Sequence, residues 1–169
     1  PFCIHTRYST QQAILEDIVA SLYAQGMRKL IILSGHGGNN FKGMIRDLAF
    51  VYPDFLIIAA DWFSIVPPKD YFEAVVDDHA GESETSVMMH YHPELVNLAE
   101  AGDGESQPFA IPSLNEKVGW APRHWDKATV DSGVGNPKKA SAEKGERYMK
   151  PVVEKLAKLF TEVGLGSLY

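Results

Sequence analysis

The sequence predicts an α/β fold, a three-layer α/β/α arrangement around a mainly parallel sheet. Two short apolar, β-branched runs, Lys29-Leu30-Ile31-Ile32-Leu33 and Phe55-Leu56-Ile57-Ile58-Ala59-Ala60, read as buried strands. Each follows a segment with helical apolar spacing, and the alternation implies right-handed crossovers and parallel pairing. Each run also stops abruptly in small and polar residues. The first ends in Ser34-Gly35-His36-Gly37-Gly38-Asn39-Asn40 and the second in Asp61-Trp62-Phe63. In open α/β sheets ligands sit beyond the carboxyl ends of the strands, so both tips are expected at one functional edge.

Length and composition bound the rest. A chain of 169 residues can bury one sizeable core, and no composition break, repeat or low-complexity tract divides it, so residues 1–169 are expected to form a single domain. With a net charge of −6, the surface is a poor match for nucleic acid or an anionic membrane. No apolar run reaches the roughly 20 residues of a membrane span. Cys3 is the sole cysteine, which excludes an internal disulfide and a cysteine-rich zinc site. Pro1 to Arg7 lacks the form of a signal peptide, and the expected compartment is the cytoplasm.

Taken in order, Ser9 or Thr10 is expected to cap a helix running through Gln25, with Ile14, Ile18 and Leu22 on its inner face, broadened by Leu15 and Val19. Gly26 stops it before the first strand. A second helix is expected from about Phe41 to Val51, burying Met44, Ile45, Leu48 and Ala49, and Pro53 turns the chain into the second strand. A third helix enters at Gly81 or Ser83 and ends before Pro93. Phe109-Ala110-Ile111 reads as a short strand, and Asp131 to Pro137 as a turn. The segment from about Ala140 to Val163 has helical spacing through Tyr148, Val152, Leu156, Leu159 and Val163, and Pro151 predicts a kink or break inside it. Lys144, Glu146, Arg147, Lys155 and Lys158 are expected on its exposed face.

The chemistry concentrates in two places. In the first loop the glycines do not make a dinucleotide fingerprint, because G-x-G-x-x-G fails at Asn40, and no Gly-Lys-Ser/Thr follows to make a phosphate loop. A histidine flanked by glycines suits a metal ligand or an acid/base group better than a phosphate cradle, although a satisfied polar loop residue has the same appearance. Asp61 can be a helix cap, and Trp62 either a core or interface aromatic or a pocket wall. The second place is Asp77-Asp78-His79-Ala80-Gly81-Glu82-Ser83-Glu84. Its acids are explained by a helix N-terminus, and equally by a divalent metal beside an acid/base group. His90 and His92 lack the spacing of a zinc-protease motif and read as surface or structural residues. Trp120 to Trp125 is an irregular aromatic segment, either packed on the fold or a neighbouring subunit, or part of a pocket wall or lid.

Three stretches together resemble the creatininase (creatinine amidohydrolase) family: Ser34-Gly35-His36-Gly37-Gly38-Asn39 after a strand, His79-Ala80-Gly81-Glu82-Ser83-Glu84-Thr85-Ser86, and Gly133-Val134-Gly135-Asn136-Pro137 leading into Ala140-Ser141-Ala142-Glu143-Lys144-Gly145. Pro1 through Thr10 looks like the segment before the family's first helix. The resemblance implies a two-metal site that hydrolyses carbon–nitrogen bonds of small polar or cyclic amides with metal-activated water. By that resemblance His36 is a ligand of the first metal, Glu84 a ligand of the second and His79 the catalytic histidine. Gly37, Gly38, Asn39, Trp62 and Asp78 are candidates for the substrate pocket. The implied cofactors are divalent ions, Zn and/or Mn or Fe, two per site if the N-terminal ligands are present.

Two departures bear on these expectations. Creatininase itself carries a glutamate ligand where this sequence has Gly38, so a substrate other than creatinine is expected. The family's N-terminal strand and loop, with its Glu-x-His-Gly-x-His-Leu-Pro-like ligand motif, has no counterpart here. The 169 residues are therefore expected to be the later two-thirds of a longer domain; a split enzyme whose partner chain supplies the ligands, or a degenerate non-catalytic binding protein, are the alternatives. A same-fold hydrolase of a cyclic ketone or a formamide uses the same residues. A small-molecule substrate and a homo-oligomer are expected, with neither nucleic acid nor membrane as partner.

Overall fold

The computed structural model describes residues 4–167 and 169. Pro1, Phe2 and Cys3, which begin the stretch likened above to the segment before the first helix, lie outside the described residues. Contacts divide the chain into two units, one of residues 1–65 and 152–169, the other of residues 66–151.

The first unit contains helix α1 (Tyr8–Ala24), strand β1 (Lys29–Ser34), helix α2 (Lys42–Val51) and strand β2 (Leu56–Asp61). β1 and β2 pair in parallel from Lys29↔Leu56 to Ser34↔Asp61, so both carboxyl tips finish level with each other. The core joins Leu15 and Val19 of α1, Met44 and Leu48 of α2, and Phe55 and Ile57. Burial of each such side chain contributes about 1.5–3 kcal/mol, which is what holds two helices and a two-stranded sheet together. Two details of α1 differ from the sequence reading. Neither Ser9 nor Thr10 caps it; Arg7 stands at the cap position with no side-chain bond. Its inner face is Leu15 and Val19 with Leu22, whereas Ile14 and Ile18 are about half exposed. In α2 Ala49 is exposed rather than buried, because the face is set by Met44 and Leu48, one turn apart.

The second unit carries strand β3 (Asp77–His79), helix α3 (Glu82–Tyr91), the single helical turns α4 (Pro112–Asn115) and α5 (Trp125–Ala128), and strand β4 (Val134–Gly135). β4 pairs antiparallel with β3, Asp77 opposite Gly135 and His79 opposite Val134, so the predicted turn at 131–137 holds a strand. Two residues are too few for any hydrophobic period to show in a sequence. Gly135 has φ +114° and Gly104 φ +69°, and a Cβ on Gly104 would collide with the Gly135 backbone, so these loops close on glycine alone. No strand forms at Phe109-Ala110-Ile111. The Asn115 side chain accepts from the Phe109 N–H (2.9 Å) and donates to its carbonyl (2.8 Å), taking both backbone groups a strand would have used.

Helix α6 (Ala142–Leu165) begins in the second unit and finishes in the first. It runs through Pro151 without a break. An interior proline costs about 3 kcal/mol, but Tyr148 and Val152, on either side of it, are fully enclosed and offset that loss. Tyr148 meets Phe72 and Tyr71 edge-on at ring separations of 5.1 and 5.4 Å, and its hydroxyl donates to the Val66 carbonyl. Burial pushes the Tyr148 phenol above its ordinary pKa, with the Asp77 charge adding to the shift. At the other end, the Lys29 ammonium donates to the Val163 and Gly166 carbonyls at 2.7 and 2.6 Å, a cation on the orphan acceptors of the helix C-terminus.

Candidate active site

At the tips of β1 and β2 the loop folds on itself. Ser34, almost fully buried, donates through Oγ to the His36 carbonyl (3.2 Å) and accepts from Asn39 Nδ2 (3.3 Å). The Gly38 N–H donates to His36 Nδ1 at 2.9 Å. That acceptor role means a neutral His36 ring carries its proton on Nε2. A Cβ at position 38 would approach the same nitrogen to 3.0 Å, so glycine is what lets the backbone reach the ring. Trp62 Nε1 donates to the Gly35 carbonyl at 3.4 Å, and the Phe63 ring lies 3.7 Å from where a Gly37 Cβ would stand. His36, Gly37, Gly38, Asn39 and Trp62 therefore share one edge. Asp61 does not cap with its side chain; its carbonyl instead accepts from Ser64 Oγ.

His79 closes β3 in the second unit. Its Nδ1 lies 2.8 Å from the Ser132 carbonyl oxygen. A carbonyl only accepts, so Nδ1 bears the hydrogen and Nε2 is the nitrogen that gains or loses a proton. Both sides of this contact are built on unusual backbone. Ala80, next to the histidine, has φ +51°, and Ser132 has φ +70°. Such conformations cost about 1–3 kcal/mol each and cluster at functional sites. The Ala80 turn is held by Glu84, whose Oε2 accepts from the Ala80 N–H at 2.6 Å. The Asp77 carboxylate accepts from the Ser83 N–H, supplying from outside the cap that Gly81 cannot give α3.

A charged lattice fixes α3 from behind. Glu82, completely buried, accepts from the Glu73 and Ala74 N–H groups through Oε2 (2.9 and 2.7 Å) and from Lys144 Nζ through Oε1 (2.5 Å). Lys144 also donates to Glu73 and to the Lys139 carbonyl. The Lys144 side chain is 20 % exposed, so it belongs to the interior rather than to the exposed face expected of it. Its bond to Glu82, then that to Glu73, raises its pKa. Glu73 is held down at about 2, first by its bond to Lys139 and then by Lys144. Ser86, fully buried in α3, accepts from the Ser141 N–H, and Ser141 Oγ in turn accepts from the Lys144 N–H at the start of α6.

On the outer side the Trp125 ring packs 4.9 Å from that of His79. The Arg123 guanidinium stacks on Trp125 at 4.7 Å and pairs with Asp78 at 2.5 Å. The aromatic segment 120–125 thus divides: Trp125 meets the histidine, and Trp120 is 86 % exposed.

The family model for creatininase, described as creatinine amidohydrolase, matches residues 1–160. The chain belongs to the creatininase family. A crystal structure of a provisionally named creatinine amidohydrolase from Bacteroides fragilis NCTC 9343 is 83% identical with a TM-score of 0.96, over all of this chain and 67% of that one. A mycofactocin precursor peptide peptidase of Mycobacterium ulcerans (strain Agy99) is 32% identical over 131 residues, 75% of this chain and 45% of its own length. The creatinine amidohydrolase of Pseudomonas putida is 24% identical over 169 residues, 91% of this chain and 63% of its own. A creatininase variant solved in a Zn–Zn form shares the fold at 22% identity and a TM-score of 0.76. The chain spans about half to two-thirds of the length of these relatives.

Creatininase-family membership carries the α/β fold with it and raises the question of metal. Among the described residues no group of three or more His, Cys, Asp or Glu side chains is placed to hold an ion. His36 stands in one unit and Glu84 in the other, each with one side of its polar group engaged by backbone N–H. These residues do not by themselves make a metal cage. Arg123 and Trp125 fall in the aromatic segment read as packing or pocket wall and Lys144 on a face expected to be exposed, whereas no local spacing marks Ser132 or the buried role of Glu82. Among the described residues no helix is long and apolar enough to cross a membrane.

Proposed function

We propose that the chain forms part of a metal-dependent amidohydrolase that cleaves the C–N bond of a small polar or cyclic amide with water. The observation that carries this is His79, held by the Ser132 carbonyl with Nδ1 protonated. Its Nε2 takes a proton from the attacking water and returns it to the departing nitrogen, the two-way transfer that amide hydrolysis needs. Trp125 and the bent Ala80 and Ser132 backbone keep the ring in place for both steps. His36 in the first unit and Glu84 in the second are each of the donor type that divalent ions such as Zn or Mn take. Membership in a hydrolytic family supports this reading.

A second reading is favoured by the relative from Mycobacterium ulcerans, which is named for a peptide substrate. The bond cleaved is then a peptide bond, and the work of His79 is unchanged.

The test is turnover by the protein expressed from its natural gene, with Zn or Mn, over a panel of cyclic amides, linear amides and short peptides. Activity is expected to vanish on chelation, return with metal, and fall by about 10²–10⁴ in His79→Asn with metal content unchanged. Undiminished turnover by His79→Asn would remove the histidine from the mechanism.

A further inference from the structure

The second unit carries a cleft of about 820 Å³, open to solvent, whose use the amidohydrolase reading leaves open. Its size falls within the range of small-molecule sites, about 300–1,000 Å³. The walls are mainly apolar, with Val76, Phe109, Leu114 and Val134 among them. Its charged lining is Lys117, Arg123 and Lys127 against the single carboxylate Asp78, in a chain whose net charge is −6. Positive charge is therefore concentrated here against the trend of the molecule. Arg123 is the fixed member of that set, clamped between the Trp125 face and Asp78. Asp78 engages Nη2, while Nη1 is shut off from water and has no hydrogen-bond acceptor among the described residues. An enclosed guanidinium N–H without an acceptor is a cost that an incoming acceptor removes.

We propose that this cavity binds a small amphipathic carboxylate, its apolar body against Phe109, Leu114 and Val134 and its carboxylate on Arg123. Lys117 and Lys127 supply attraction at the rim. A carboxylate suits the guanidinium because an ionised acceptor makes a charge-assisted bond with it. A dianion such as phosphate is disfavoured, since Asp78 already pairs with the guanidinium and the walls are mainly apolar. The proposal does not depend on hydrolysis, so it can fail or survive separately from the catalytic reading.

The test is an NMR titration of the full chain with three probes: N-acetylphenylalanine, its uncharged C-terminal amide, and inorganic phosphate. The acid is expected to shift the Leu114, Asn115 and Val134 amides and the Trp125 indole, and to bind about tenfold more tightly than the amide, the margin of one charge-assisted contact. Arg123→Gln should bind acid and amide alike. Should Arg123→Gln fail to fold, Lys127→Gln at the exposed rim decides, with acid affinity reduced by about two- to fivefold and amide affinity unchanged. Equal binding of acid and amide by the parent protein overturns the proposal. So does phosphate binding as tightly as the acid, or acid-induced shifts lying outside the cavity.

Discussion

His36 sits between two glycines just past the end of β1 and His79 precedes Ala80-Gly81 at the end of β3, and the two are held in different ways. The His36 loop is held largely by its own neighbours, Ser34, Gly38 and Asn39, with Trp62 bonded to the Gly35 carbonyl from the second strand tip. His79 is held by Ser132 and Trp125, and the helix that follows it by Glu73 and Lys144, all brought from elsewhere in the chain. The ring nitrogens differ accordingly. Nδ1 of His36 accepts a hydrogen bond, and Nδ1 of His79 donates one. The His36 loop draws most of its bonds from adjacent residues, whereas the His79 turn is pinned from several distant points. The difference teaches that histidines at two strand ends can be held mostly by local contacts in one case and by long-range ones in the other.

The largest effect should come from breaking the lattice behind His79. Lys144→Met leaves the buried Glu82 carboxylate without its cation and is expected to cost about 3–5 kcal/mol in urea unfolding. Next, Gly145→Ala places a methyl against the Ser86 backbone where α6 meets α3, with an expected loss of about 1–3 kcal/mol by the same measurement. Ser34→Ala, the equivalent insult to the local loop, should cost only about 1 kcal/mol, because it removes a brace between neighbours. If Ser34→Ala proves as damaging as Lys144→Met, the contrast between the two regions fails.

The smallest effect is an acid one. The Glu73 carboxyl is held below its ordinary 4.5, at about 2, so its contribution is fully present above pH 4.5 and is lost as pH falls from 4.5 through about 2. Glu73 is exposed, and salt should weaken the effect. Unfolding midpoints followed over that interval should fall less steeply in Glu73→Gln than in the parent.

Legibility in the sequence follows the same division. β1, β2 and α2 are readable because apolar periodicity is a local signal, and the His36 loop because most of its bonds run to neighbours in sequence. β4 was missed because two residues have no period, and the strand expected at Phe109 because the side chain of Asn115, six residues on, takes its backbone groups. The expectation that Pro151 would interrupt α6 gave way to the burial of Tyr148 and Val152. The glutamates of α3 looked alike as helix-start acids; only long-range contacts separate Glu82, the buried anchor, from Glu84, which holds the Ala80 turn. Arg123 lies in the aromatic segment read as packing or pocket wall, but its pairing with Asp78, forty-five residues earlier, has no local mark.

The most direct measurement is a long-range ¹H–¹⁵N correlation spectrum of the imidazoles in the metal-free protein near neutral pH. The neutral His79 ring should show its proton on Nδ1 and the neutral His36 ring on Nε2, opposite tautomers in one molecule. His79 found with its proton on Nε2 would mean that the Ser132 carbonyl does not hold it, and the proton-transfer role drawn from that contact would be contradicted.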